Sequence, residues 1–495
     1  MPSAIAVLGS ASDVGKSLVA TALCRIASDL GVDVVPFKAQ NMANQAGVTA
    51  DGLEMPRAQI LQAIACRKRP EVDMGPVLMK PVSMTGAQVI VMGKAIGQLE
   101  AREYFADTSR LASIAKSALE RLLSAHECVI LEGAGSPVEL NLWDRDYVNL
   151  RSARQAKAML ILVVDIDKGG VFAQAKGTFD LLPAEDRARV LGIVVNRFRG
   201  DLSLFEDGIP ILERICETKV LAVVPYLEHG LDEEDRPIRI PVDAKPKAGK
   251  LNVGVILYPR ASNTEDIFPL LAEPDLHVTF LTDPRLVGDQ QLIVLPGSKA
   301  TIGDLVQLTA SGMTEQLRVA HERGTWLLGL CGGYQMLGGV LSDRIASEGG
   351  PSAWNGLGVL PIETDFRPNK VTTESQFESV WPAANHRIEG YEIHHGQTSL
   401  TANLGEPIAL GFGPELGWRS GSAVGAYLHG LLANDAWRNC FLNVVRQSQG
   451  MAELPRHDMA PIEQRIERWT EHVRQSLRPG GMELITKAIS RIAQV

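Results

Sequence analysis

The stretch Gly9-Ser-Ala-Ser-Asp-Val-Gly-Lys-Ser17 constrains this chain more than any other. An apolar run, Ala4–Leu8, leads into it, and a second, Leu18–Leu30, leads out. Strand, glycine-bounded loop and helix in succession turn backbone N–H groups toward an anion. The common form is GxxxxGK followed by Ser or Thr; here five residues, not four, separate Gly9 from Gly15. In this reading Gly9 and Gly15 shape the loop and Lys16 adds charge beside a phosphate. The Ser17 hydroxyl is placed to reach Mg²⁺, so ATP and Mg²⁺ are the expected cofactors. A glycine turn with no ligand is the bland alternative, and the flanking strand and helix weigh against it.

Such a loop commits its neighbourhood to a helix-covered parallel sheet, and the rest of the first half agrees. Val32–Phe37, Cys128–Leu131, Ala158–Val164 and Leu191–Val195 are short apolar runs, and Ala222–Pro225 closes the series. The longer segments between them read as helix. Residues 241–250 are polar and contain Pro and Gly, as a linker would. Alternation restarts with Asn252–Leu257, Leu292–Leu295 and Trp326–Leu330. The expectation is an α/β chain: a phosphate-loop domain over 1–245, a second α/β domain over 251–445, and a helical extension over 446–495. In that extension Ile462, Ile466, Trp469, Val473 and Leu477 recur at helical spacing, the mark of a packing helix.

Composition narrows the function. Net charge is −9 over 495 residues, which disfavours nucleic acid and anionic membrane surfaces as partners. No apolar run reaches the ~18 residues of a membrane span, and the N-terminus has no charged region or cleavage site of a signal peptide. Cysteines 24, 66, 128, 216, 331 and 440 are scattered without a CxxC pair. That argues against disulfides and zinc and for a reducing, cytoplasmic setting, with all but Cys331 read as small buried side chains.

Other strand ends offer partners for the loop, at the edge where ligands bind in such sheets. Lys38 ends Val-Val-Pro-Phe-Lys, and Glu132 ends Val-Ile-Leu-Glu, where a carboxylate suits Mg²⁺. Asp165 and Asp167 could hold metal through water or cap a loop. Asn196 could meet adenine or form an Asx turn. A broad, exposed cleft is expected near Lys38, Gln40, Asn41 and Glu132.

The second half carries a different chemistry. Gly329-Leu-Cys-Gly-Gly reads as a strand, a sharp turn and a helix that present Cys331 as a nucleophile. The N–H of Gly332, with a second from the Leu295-Pro-Gly297-Ser turn, would form an oxyanion hole. His429, after the apolar run Val424-Gly-Ala-Tyr-Leu, is the candidate base. His394 and His395 are adjacent, so in a strand they face opposite sides and cannot chelate one metal.

Lys38, Glu132 and the lengthened loop resemble dethiobiotin synthetase, which implies carboxyl activation with MgATP. The cysteine half resembles the class I glutamine amidotransferases, flavodoxin-like domains that release ammonia from glutamine. Most carry an acid two residues after the His; here that position is Leu431, so a Cys331–His429 dyad is expected.

From end to end the chain resembles the cobyric acid synthases, glutamine-dependent amide ligases of cobalamin synthesis. The matching segments include Pro36-Phe-Lys-Ala-Gln-Asn-Met42, Leu131-Glu-Gly-Ala-Gly-Ser-Pro137, Leu330-Cys-Gly-Gly-Tyr-Gln335 and Gly390-Tyr-Glu-Ile-His394. The resemblance implies amidation of the b, d, e and g carboxylates of a corrin a,c-diamide, with glutamine and ATP as the other substrates. The rivals are a cobyrinic acid a,c-diamide synthase and a partitioning-type ATPase that binds a protein partner; the latter has no use for Cys331 and His429.

Overall fold

The structure is a computed structural model that describes residues 3–81, 86–100, 104, 108–231, 245–345, 352–410, 413 and 415–490. Residues 241–244 of the expected linker lie outside them.

Strand Ser3–Gly9 shows how the first sheet is built. Ala4, Ala6 and Leu8 enter one apolar cluster, and Ile5 and Val7 enter another. Successive side chains point to opposite faces, so both faces of this strand are covered. The sheet runs Val220–Pro225, Val190–Phe198, Met159–Asp165, Ser3–Gly9, Cys128–Glu132, Val34–Phe37 in space. All neighbours are parallel. Helix Lys16–Asp29 follows the phosphate loop directly.

A second sheet repeats the plan. Leu276–Leu281, Leu251–Ile256, Leu292–Leu295, Trp326–Leu330 and Ala423–Ala426 are parallel neighbours. Gly417–Ser420 and Glu406–Pro407 extend one edge antiparallel. Both halves thus have the expected α/β architecture.

Three features depart from expectation. The stretch between Phe37 and Cys128 is not simply helical. It holds a small sheet of Asn41–Met42, Val77–Pro81, Gly86–Val91 and Lys94–Glu100. Its apolar side chains Leu78 and Ile90 pack against Ile393 of the other half, so tertiary contact decides their conformation. A long antiparallel pair, Ile362–Ser379 with Arg387–Leu400, extends from the second half toward this small sheet.

The final helices do not form a separate extension. Asp435–Ser448 stays with the second sheet through Trp437, Phe441 and Val445. Ile462–Gln475 and Gly481–Ile489 return to the first sheet, burying Ile466, Trp469, Val473 and Ile485. The Trp469 indole donates to the Leu18 carbonyl at 2.8 Å, and the Ser3 hydroxyl donates to the Ile489 carbonyl at 2.6 Å. These helices cover the face of the sheet on which helix Lys16–Asp29 lies. Among the cysteines, Cys24, Cys66, Cys128 and Cys216 are buried, whereas Cys440 is only half-buried.

Candidate functional site

Two sites stand at the C-terminal edges of the two sheets. In the first, the glycines are fixed by close approach. A Cβ on Gly9 would lie 2.7 Å from Val14 Cγ2. Gly15 has φ +92°, and a Cβ there would lie 2.1 Å from Asn196 Nδ2. Asn196 braces the loop by donating to the Val14 carbonyl at 2.9 Å. Lys16 curls over the loop, its Nζ donating to the carbonyls of Ala11 at 2.9 Å and Gly135 at 3.2 Å.

Glu132 is the hub of this site. Its Oε1 accepts from Ser17 Oγ at 2.7 Å and Lys38 Nζ at 2.8 Å. Its Oε2 accepts from Gln62 at 2.5 Å and Gln59 at 3.4 Å. Burial alone would raise its pKa; the Lys38 charge and the hydrogen bonds from Ser17 and Gln62 outweigh it and hold the carboxylate ionised. Gln59 and Gln62, one turn apart on helix Arg57–Ala65, were invisible to motif reasoning. Ser17 and Glu132 put two hard oxygens side by side, a donor pair that suits Mg²⁺. Among the described residues no group of three His, Cys, Asp or Glu side chains gathers as a metal cage.

One expectation needs correction here. Lys38, Gln40, Asn41 and Glu132 do not line an exposed cleft: all four side chains are buried. The side-chain oxygen Oε1 of Gln40 accepts from the hydroxyls of Tyr104 and Tyr147, which, with the small sheet, cover this edge. Of the two readings of Asp165 and Asp167, metal or a loop cap, their bonds fit the loop cap. Asp165 accepts from the Asp167 N–H at 2.8 Å and pairs with Arg197 at 3.1 Å, and Asp167 pairs with Arg199 at 2.9 Å.

In the second site Cys331 sits at φ +49°, ψ −105°, between strand Trp326–Leu330 and the turn of helix Gly332–Met336. Gly332 lies against the Leu295–Ser298 turn, where a Cβ would meet the Ser298 nitrogen at 2.7 Å. Gly297, in the same turn, lies beside the ring of His429: a Cβ there would be 3.3 Å from His429 Cε1. The expected thiol, base and oxyanion turns are therefore gathered in one place. The Gly390–His394 segment is also accounted for. Tyr391 and His429 exchange backbone hydrogen bonds at 3.1 and 2.9 Å, and their rings stack at 5.1 Å.

The residue that sequence reasoning missed is Asp266. Its Oδ2 bonds His429 Nδ1 at 2.7 Å, and its Oδ1 accepts from the Gly430 N–H at 2.7 Å. An acid thus stands behind His429 after all, supplied by the loop after strand Leu251–Ile256 rather than by the position of Leu431. Nothing in the spacing to His429 could reveal it, because the two are 163 residues apart. Burial pushes the imidazole pKa down, but the charges of Asp266 and Cys331 prevail and lift it to about 10.

Lys80, Lys370, Lys299, Asn263 and Gln335 share the cavity of Cys331 and His429. Among the described residues, Asn263 Oδ1 and Gln335 Oε1 are buried there without a hydrogen-bond partner. His394 is held by the Gly396 carbonyl at 2.8 Å and stacks on Tyr427. His395 is bonded to the Arg367 carbonyl at 3.1 Å; burial, with Lys299 and Lys370 nearby, lowers its pKa to about 4.

The two sites define a class: a nucleotide-binding domain joined to a glutamine amidotransferase domain. Residues 5–238 match the CobQ/CobB/MinD/ParA nucleotide binding domain, and residues 252–437 match the CobB/CobQ-like glutamine amidotransferase domain. Whole-chain relatives are more specific. A cobyric acid synthase of Chlorobium phaeobacteroides is 46% identical, covering 89% of this chain and 91% of that protein. One of Chlorobaculum tepidum is 45% identical over 91% and 92%, and one of Klebsiella pneumoniae is 42% identical over 92% and 92%. The chain belongs to the cobyric acid synthase family.

Proposed function

We propose that this protein amidates the b, d, e and g carboxylates of cobyrinic acid a,c-diamide, in free or adenosylated form, using ATP and glutamine. The observation that carries the reading is the presence in one chain of a phosphate loop tied to Glu132 and a Cys331–His429–Asp266 array. Either alone would fit many enzymes. Together they supply the two things amide formation from a carboxylate needs, a leaving group and a nitrogen nucleophile.

In the second site the Cys331 thiolate attacks the glutamine carboxamide. Gly332 and Gly297 are assigned to the oxyanion that forms. His429, oriented by Asp266, gives a proton to the departing ammonia. Water then hydrolyses the thioester to glutamate. In the first site Gly9, Gly15, Lys16, Ser17 and Asn196 hold the nucleotide, and Lys38 stands beside the reacting groups. The substrate carboxylate attacks the γ-phosphate, ADP leaves, and ammonia displaces phosphate from the acyl phosphate. Ser17 and Glu132 would hold Mg²⁺, which when bound would supply charge neutralisation to the phosphates.

Paired variants test the division of labour. Cys331→Ala should lose glutamine-dependent synthesis and keep synthesis from high ammonium chloride, because free ammonia bypasses the thiol. Lys16→Ala should lose both, because both need the acyl phosphate. Normal glutaminase turnover by Cys331→Ala would contradict the assignment.

A further inference from the structure

The cavity around Cys331 is not built by the glutaminase half alone. Lys80, on strand Val77–Pro81 of the phosphate-loop half, lines it together with Lys370 from strand Ile362–Ser379. Between them lies Glu54, also of the first half. Glu54 Oε1 is 2.5 Å from Lys80 Nζ, and Oε2 is 2.5 Å from Lys370 Nζ. The side chains of Glu54 and Lys80 are 1% and 3% exposed, and that of Lys370 is 11% exposed. One carboxylate faces two ammonium groups, so the cluster carries a net positive charge beside the cavity. Each ammonium has three donors, more than a single carboxylate oxygen takes up. A buried excess charge is costly unless a counter-charge joins it.

The first half also holds the loop that bears Asp266. Gln45 donates to the Thr264 hydroxyl at 2.8 Å and accepts from the Thr264 N–H at 3.0 Å. Thr264 lies two residues before Asp266, within the short 3₁₀ turn Thr264–Ile267. Ala46, Val48, Leu78 and Ile90 of the first half then pack on Ile393, whose carbonyl lies 3.6 Å from the Cys331 sulfur.

L-Glutamine presents a carboxamide at one end and an α-carboxylate and α-ammonium at the other. The carboxamide belongs at Cys331. Asn263 Oδ1 and Gln335 Oε1, unpartnered among the described residues, suit the ammonium. The lysine pair is then the natural counter-charge for the carboxylate.

We propose that the α-carboxylate of glutamine is bound jointly by Lys80 and Lys370, so that the glutamine site is completed only by the nucleotide-binding half. This rests on the glutaminase reading above. It makes Lys80 a specificity-determining residue of a reaction catalysed in the other half.

The test compares hydrolysis of L-glutamine with that of 4-aminobutanamide, which is glutamine without its α-carboxylate, in the full-length protein. Wild type should prefer glutamine strongly in kcat/KM. Lys80→Met should cut that preference at least tenfold, by raising KM for glutamine while leaving the smaller amide unaffected. Lys80→Arg should retain it. Lys370→Met, on the opposite half, should reproduce the loss, which guards against a folding defect in one variant. If Lys80→Met and Lys370→Met lower both substrates by the same factor, the cluster is a structural clamp and the inference fails while the glutaminase reading stands. If wild type hydrolyses neither amide, the glutaminase reading falls and takes the inference with it.

Discussion

Cys331 shows what the position proposed for a nucleophile demands of one residue. Its φ of +49° is a conformation that a residue with a Cβ adopts only under constraint. The neighbours that impose it are Gly329 and Gly333, where any Cβ would collide with backbone at 2.5 and 1.9 Å. Cys331→Gly should therefore be more stable than Cys331→Ala, by about 1 kcal/mol in urea unfolding, although neither has a nucleophile. Asp266 acts at the same scale. Against the lowering effect of burial, it acts with Cys331 to lift the pKa of His429 to about 10, from an ordinary value of about 6.5. The folded pKa is raised, so this proton stabilises the fold fully below about pH 6.5, and the contribution is lost as pH rises through about 10. Asp266→Asn should be less stable than wild type near pH 6, with the gap closing toward pH 10. Its glutaminase rate should drop by on the order of 10²- to 10⁴-fold, since ring orientation and charge are both lost. Equal stability gaps at both pH values would contradict the role given to Asp266.

At the level of elements, what the sequence revealed was local, and what it hid was long-range. The phosphate loop is legible because strand, loop and helix are consecutive, and Cys331 is legible for the same reason. Glu132, Lys38 and His429 are legible as strand-end residues. The sites themselves are assembled from further away. Gln59 and Gln62 reach Glu132 from a helix more than 60 residues earlier, and Asp266 reaches His429 across 163 residues. No spacing encodes such pairs. Burial of Gln40 was equally hidden, since Tyr104 and Tyr147 that cover it belong to separate segments. The last helices make the same point. The helical spacing of Ile466, Trp469 and Val473 predicts a buried face, but not that the face lies on the first sheet. Trp469→Ala should thus destabilise the nucleotide-binding half by about 3–5 kcal/mol, read by denaturant unfolding with and without ATP. A loss confined to glutaminase activity would place the helix wrongly.

Across the whole molecule the two sites share structural members. Glu54 touches both lysines at the Cys331 cavity and opens the short strand Glu54–Pro56, which leads directly into helix Arg57–Ala65, whose Gln59 and Gln62 hold Glu132. Strand Val77–Pro81 carries Lys80 and pairs with Asn41–Met42, which follow Lys38. Ammonia is lost once protonated and released, so a chain that makes it for internal use gains from having the donor site closed by the acceptor half. On the proposed function, nitrogen from glutamine ends on carboxylates of a cobyrinic acid a,c-diamide at the expense of ATP. The direct measurement supplies amide-labelled ¹⁵N-glutamine, ATP, Mg²⁺ and that substrate, and follows the product by mass over time. The expected result is stepwise gain of labelled amides up to the b, d, e and g positions, dependent on ATP. Amidation that instead begins on cobyrinic acid itself and stops after two groups, or label that appears only as free ammonia, would contradict it.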